Sequence, residues 1–402
     1  MPPTLPRVVF VNRFYWPEEP ATAQLLVDLA EGLAARGREV LVITSHDGAT
    51  IPRRETRRGV EVIRVGATRW GRRGLAGKAI DYLTFAVSAR RALRKEVRAG
   101  DWVVPMTDPP VLAQIAAGAS RRVGASLAHW IQDVHPEIGL ALSGSWALAA
   151  ASAPWRRWRD AAWRQADACV AISREMAGLV AEHGVAPGRI RTIPNWAPGG
   201  EPLAPVPRDQ NPLRKEWGLD GKFVVAYSGN LGRVHALEPV LAAAAQLRSE
   251  PGLVFLFIGD GPQRRTLEAQ ARAQGLPNVR FLPPQPRARL AESLSAGDVH
   301  LLTLRSGCER YVFPSKLYGI LAVTRPIVYV GPPRCELADS VRTSGAGLVV
   351  DAQNPSALAA ALRQLRDDAD GCAAMSRAAA AWAGRAGGLP AALAAWEEIL
   401  VA

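Results

Sequence analysis

Short apolar runs rich in Val and Ile alternate with amphipathic stretches along almost the whole chain. Val8–Val11, Val40–Thr44, Val60–Val65, Trp102–Met106, Leu127–Ile131, Cys169–Ile172 and Ile190–Ile193 are nearly continuous in apolar residues. That pattern predicts parallel strands covered on both faces. Between the first two runs Leu25, Leu26, Leu29 and Leu33 recur at helical spacing, which predicts a helix over Thr22–Ala35. Thr22 is the expected N-cap and Gly37 the expected stop. Five prolines from Pro198 to Pro212 then break the pattern, at a density that no helix or central strand tolerates. The alternation restarts with strands expected at Phe223–Tyr227, Val254–Ile258, Val279–Leu282, Val299–Thr303, Ile327–Val330 and Leu348–Val350. Helices are expected near Leu237–Leu247, Gln263–Ala273, Arg287–Leu294, Pro355–Arg366 and Leu389–Leu400. The fold class is therefore α/β: two Rossmann-like domains, 1–200 and 201–385, facing each other across a cleft. A C-terminal helix over 386–402 is expected to pack back toward the first domain. Open sheets of this kind bind ligands outside the carboxyl ends of their strands.

Composition narrows the class. With 48% hydrophobic and 21% charged residues, the 402-residue chain can build large cores and is not a disordered polymer. No uninterrupted apolar run reaches the ~18 residues of a membrane span. Met1 leads into a Pro-rich tripeptide with no basic region, so no secretory leader is expected. Cys169, Cys308, Cys335 and Cys372 lie far apart, which encodes neither a zinc knuckle nor a redox pair. A reduced, cytoplasmic protein follows. The net charge of +12 is uneven: residues 1–200 hold 27 basic and 18 acidic residues, so 9 of the 12 excess charges lie in that half. Such a basic face suits membrane headgroups, a lipid-linked diphosphate or nucleic acid, or it reflects codon bias alone, since 44 of the 49 basic residues are Arg.

Several motifs carry chemistry. Gly229, Asn230, Gly232 and Arg233 follow a strand, and glycines there let backbone approach a phosphate. A βα turn explains the same glycines. Pro314, Ser315, Lys316 and Tyr318 open a helix, where a lysine opposes the helix dipole unless an anion is present. Gly259 and Asp260 end another strand, and Leu282 ends the next, where a base would find backbone groups. Asp133, His135 and Glu137 cluster at a strand's carboxyl end, where acid/base groups or a plain loop would sit. The Phe14–Ala23 loop lacks a dinucleotide fingerprint. Asp368-Ala369-Asp370 follows an Ala/Leu/Arg helix and reads as a solvated helix terminus. Trp155-Arg156-Arg157-Trp158-Arg159 and Arg69-Trp70-Gly71-Arg72-Arg73 suit a membrane interface or amphipathic packing.

Taken together these motifs resemble the family 4 glycosyltransferases of the GT-B fold, in particular the branch that builds bacterial surface polysaccharides such as colanic acid and O-antigen. The resemblance rests on Val11–Ala23, Ile131–Glu137, Ile193–Trp196, Tyr227–Gly232, Gly259–Gly261 and Val312–Leu321. It implies a retaining transferase without metal or cofactor. A sugar, hexosyl or N-acetylhexosaminyl, moves from a UDP-linked donor to a lipid-linked sugar acceptor at the inner face of the membrane. Asp133, Lys316 and Glu309 then stand as catalytic residues. Gly229, Asn230, Gly232, Arg233, Gly259, Asp260, Leu282, Pro314, Ser315 and Tyr318 hold the donor, and Thr22, His135 and Glu137 lie on the acceptor side. The family's E-x7-E acids are missing: Tyr311 and Gly319 occupy their positions, and Glu309 is the nearest substitute. Three alternatives stand beside this: a UDP-sugar epimerase of the same fold, an inactive relative acting as a binding module, and a nucleic-acid-binding protein. The last finds no helix-turn-helix, zinc or aromatic RNA motif.

Overall fold

The computed structural model describes residues 5–401 apart from 19, 47–50, 72–73, 198, 200–202 and 386–387. Met1, Arg72, Arg73 and Pro198, named above, lie outside the described residues. The chain divides into two compact units. Unit 1 comprises 1–200, 310–313 and 389–402, and unit 2 comprises 201–309 and 314–388.

Unit 1 holds an eight-stranded sheet of order β3-β4-β2-β1-β5-β6-β7-β8. Its strands are β1 (Val8–Val11), β2 (Val40–Ser45), β3 (Arg54–Arg57), β4 (Val60–Val65), β5 (Trp102–Pro105), β6 (Ser126–Ile131), β7 (Ala168–Ala171) and β8 (Ile190–Thr192). All pair in parallel except β3, which runs antiparallel to β4 at the edge. Every residue of β1 is buried, which is why its apolar run does not alternate. Helix α1 (Ala21–Ala35) begins one residue earlier than expected. Its N-cap is Pro20, with no side-chain cap, so Thr22 sits inside the first turn and is not the cap. Gly37 does follow the helix, at φ +85. The C-terminal helix Gly388–Leu400 contributes Leu389–Leu400 to unit 1. Its Trp396 is fully buried and packs edge-on against Trp130 and Phe10, while Trp130 stacks on Trp196. Arg36 pairs with Glu397 at 2.6 Å on the rim.

Unit 2 holds a six-stranded, all-parallel sheet of order β11-β10-β9-β12-β13-β14. Its strands are β9 (Phe223–Ser228), β10 (Leu253–Ile258), β11 (Val279–Leu282), β12 (Val299–Thr303), β13 (Ile327–Val330) and β14 (Gly347–Val350). The proline-rich crossing carries no strand among its described residues, but Pro212 opens a short helix, Pro212–Glu216. Proline is compatible with a first helical turn, where its missing N–H costs nothing. The helix expected over Arg287–Leu294 splits into a 3-10 turn, Arg287–Arg289, and a helix, Leu290–Ser295. Helix α2 (Glu238–Gln246) begins six residues beyond Gly232.

Candidate active site

In unit 2 the carboxyl ends of β9, β10 and β11 bring two glycine turns together. The Leu231 amide donates to Asp260 O at 2.8 Å, and the Gly229 amide donates to Ile258 O at 2.9 Å. A Cβ on Gly259 would collide with the Gly229 carbonyl, and one on Gly261 would lie 2.5 Å from Asn230 Oδ1. Both glycines have φ values that side chains avoid, 142° and 150°. These glycines are therefore explained by the packing of one turn on the other. Gly229–Gly232 is not a helix N-terminus. Two of its amides are spent on carbonyls, and α2 starts later. Gly232 is buried, with its Cβ position 3.0 Å from Asn230 Nδ2.

Lys316 is the unusual group. Its stem is half-buried, but its ammonium is shut off from solvent with no hydrogen-bonding partner. The Nζ lies 3.7 Å from the centre of the Tyr227 ring and 3.7 Å from the Cβ position of Gly229. Burial pushes its pKa down to about 7. A desolvated cation over an aromatic face recovers on the order of 2 kcal/mol, far less than desolvating an ammonium costs. Tyr227 is buried and donates its hydroxyl to Asn230 O at 2.8 Å. Its neighbour His235 donates its Nδ1–H to Thr303 O (2.7 Å), and burial together with Lys316 drives its pKa down to about 3, so it is neutral.

The other residues expected on the donor side take more varied places. Pro314 is buried, and Ser315 caps the helix Lys316–Ala322 without a side-chain bond. Tyr318 is buried, with its ring 6.1 Å from that of Trp382. Leu282 O is already occupied by the Gly259 amide and by Arg264 Nη1 at 2.9 Å, so it is not an open acceptor for a base. Asp260 Oδ1 is turned back on the Gly261 amide at 2.7 Å. Arg233 is exposed, and Glu309 is half-buried. At the two E-x7-E positions, the Tyr311 carbonyl accepts from the Val134 amide at 2.9 Å, and a Cβ on Gly319 would lie 3.3 Å from Leu294 Cδ1.

In unit 1 Asp133 follows β6, bridges to Val312, and donates its amide to Thr107 Oγ1 at 3.2 Å. Burial, reinforced by the nearby Asp108, raises its carboxyl to about 6. Burial lowers His135 to about 4, leaving it neutral. Glu137 does not serve the open acceptor side expected of it. It is buried, and Arg159 Nη1 donates to its Oε2 at 2.5 Å while also binding His135 O at 3.0 Å. The Arg159 guanidinium lies 4.3 Å over Trp163 and pairs with Asp160. Thr107, Asp133, His135 and Arg159 line a cavity of about 20 Å³, room for a water and not for a sugar ring. Sequence reasoning passed over Asp108, whose buried Oδ1 has no partner and whose carbonyl accepts from the Arg13 amide at 2.9 Å. Among the described residues no three His, Cys, Asp or Glu side chains are grouped to hold a metal.

Comparison with known proteins places the chain. Residues 22–196 match the glycosyl transferase 4-like domain and residues 209–382 the glycosyl transferases group 1. The chain belongs to this glycosyltransferase family, with the two-domain GT-B fold. It is 34% identical over 245 residues to WcaI of Escherichia coli, by name a colanic acid biosynthesis glycosyl transferase, covering 60% of each chain. It is 30% identical over 269 residues to WbjE of Pseudomonas aeruginosa, by name a glycosyltransferase, covering 66% of each. The alignments thus span less than two thirds of either relative. The crystal structure of Anabaena HepE with UDP-glucose superposes with a TM-score of 0.73 at 18% identity, covering 98% of this chain and 99% of that one. WaaG, a glycosyltransferase involved in lipopolysaccharide biosynthesis, gives 0.73 at 16% identity with the same coverage.

Proposed function

We propose that this protein transfers a sugar from a nucleoside diphosphate sugar, UDP-linked, to a lipid-linked acceptor sugar in surface polysaccharide synthesis. One observation carries the donor half: the buried, partnerless ammonium of Lys316 over Tyr227 and beside Gly229. A diphosphate oxygen there would give the cation the partner it lacks and stabilise the charge that grows as the donor's C1–O bond breaks. Removing one such group costs about 3–4 kcal/mol of barrier. With retention, the new bond to the acceptor oxygen forms on the face that the diphosphate leaves, and the acceptor's proton passes to the leaving phosphate oxygen. No metal takes part. The names of WcaI and WbjE and the UDP-glucose bound by HepE support the donor class and the setting.

The acceptor half rests on unit 1. It holds most of the chain's basic excess and leaves Trp146, Leu148 and Trp158 exposed, features suited to anionic headgroups at the inner membrane face. Among the described residues no helix is long and apolar enough to cross a membrane. The test is calorimetry and turnover on a panel of nucleoside diphosphate sugars, with and without EDTA, for the wild type and Lys316→Met. UDP-sugar binding that the variant loses, and turnover that EDTA leaves intact, are expected. Equal binding by the variant, or no turnover of any donor, would overturn the proposal.

A further inference from the structure

Strand β11 ends the unit 2 sheet on one side, with β10 as its neighbour. Its Leu282 carbonyl, and that of Asn278 just before it, point inward and are taken by the Gly259 and Phe255 amides at 3.1 and 2.7 Å. Backbone groups alternate along a strand, so the Val279 carbonyl and the Phe281 amide face outward as a template for another strand. Between this edge and helix Arg264–Ala273 lies an open groove of about 580 Å³. Ala271, Leu276, Val279 and Phe281 form its apolar floor, and Phe281 stacks on buried Phe257 at 4.9 Å. Its rim carries one acid and one base, Glu268 and Arg272, a helical turn apart. Arg264 Nε occupies Glu268 Oε1 at 2.8 Å, and Arg272 spends its Nε on the Glu268 carbonyl at 3.3 Å. Glu268 Oε2 and both terminal nitrogens of exposed Arg272 take no further bond.

We propose that this edge seats a second copy of the chain, the two β11 strands pairing antiparallel about a two-fold axis through Arg280. A two-fold interface must complement itself, since a residue that meets its opposite number is met by it in return. The edge satisfies that condition twice. In the backbone, an axis at Arg280 sets Phe281 opposite Val279 of the partner subunit, so each Phe281 amide finds a Val279 carbonyl. In charge, the helix descends to the turn at Gly275–Asn278 and the strand climbs away from it. Four residues back along the helix and two along the strand both rise by about 6–7 Å, at ~1.5 and ~3.3 Å per residue. The midpoint of Glu268 and Arg272 is therefore level with Arg280. The same axis brings Glu268 of each copy to Arg272 of the partner subunit, whose aliphatic stem covers the apolar floor. The Arg280 side chains lie on the other face, each turned back onto its own Trp217 carbonyl at 2.8 Å. An unrelated extended peptide would find the backbone edge but not the reciprocal acid and base. Pro277, Pro283 and Pro284 bracket the strand and hold the pairable edge to four residues, so the assembly closes at two copies.

The test is sedimentation velocity of the full chain from about 1 to 200 µM, the range in which an interface of modest area associates. Wild type should pass from monomer to dimer as concentration rises. Arg272→Glu and Glu268→Arg each set like charges against one another across the axis, and each should weaken dimerisation by about tenfold or more. The double variant, Glu268→Arg with Arg272→Glu, restores opposite charges and should recover the dimer. Arg272 is exposed, so its variant keeps the fold, and an unchanged melting transition checks this. A chain that stays monomeric over the whole range would overturn the proposal. So would single variants that dimerise like wild type, or a folded double variant that fails to regain the dimer.

Discussion

The two units bury their cores alike and treat their surfaces differently. Leu5, Trp16, Trp70, Ile80, Leu83, Val87, Trp146, Leu148, Trp158 and Val401 are the large apolar side chains found exposed, and all belong to unit 1. Trp146 is 83% exposed and Leu83 65%. Among its described residues unit 2 leaves none of this size uncovered. Its oddity is internal, an ammonium sealed off over Tyr227 without a counter-charge. Under the proposed function, unit 1 meets something apolar and acidic outside itself, and unit 2 receives an anion within. Exposed apolar side chains in number mark an interaction surface, whereas a buried ammonium without a partner either sheds its proton or is paired by a ligand.

The comparison can be broken in several ways. The largest effect should come from Trp396→Ala, which empties the aromatic core that the C-terminal helix completes in unit 1. About 3–5 kcal/mol of that unit's stability should go, seen as a lowered first transition in calorimetry with the unit 2 transition unmoved. If both transitions fall together, the helix does not belong to unit 1 alone. Next, Lys316→Met should cut turnover by about 10²–10³-fold while leaving the ligand-free protein at least as stable. The sign follows from linkage: with its folded pKa pulled from 10.5 down to about 7, the lysine binds fewer protons folded than unfolded between those values. Its contribution to stability therefore rises with pH across that window and is unfavourable below it. Gly259→Ala should cost about 1–3 kcal/mol from its φ alone, lowering the unit 2 transition and weakening UDP binding with it. The smallest effect belongs to the double change Trp146→Ser and Trp158→Ser. Binding to phosphatidylglycerol vesicles in flotation should weaken by about tenfold, with no change in UDP affinity.

Much of the scaffold was legible because buried parallel strands write continuous Val/Ile runs. β1, β4, β11, β12 and β13 match the expected limits residue for residue. β3 was not legible: Arg54-Glu55-Thr56-Arg57 has no apolar residue, and only its antiparallel pairing at the sheet edge makes it a strand. The glycine turns were visible, but their cause was not. Gly259 and Gly261 look like ligand cradles until the neighbouring turn is seen filling the space. Glu137 shared its motif with Asp133, yet the arginine that neutralises it lies 22 positions on. Asp108 sits in Met106-Thr107-Asp108-Pro109-Pro110, a stretch that reads as an ordinary turn, and its burial beside Arg13 and Tyr82 is a tertiary fact. Lys316 was conspicuous as one of five lysines, whereas its burial is a tertiary fact.

The most direct measurement is calorimetric titration of UDP-glucose into wild type and Lys316→Met across pH. Diphosphate binding should raise the ammonium's pKa above its free value of about 7. Affinity should then be flat below that pH and fall by up to tenfold per unit above it, with about one proton taken up on binding near pH 8, and the variant should bind weakly at every pH. Wild-type affinity that is independent of pH across this range, with no proton uptake, would contradict the pairing of Lys316 with the donor diphosphate.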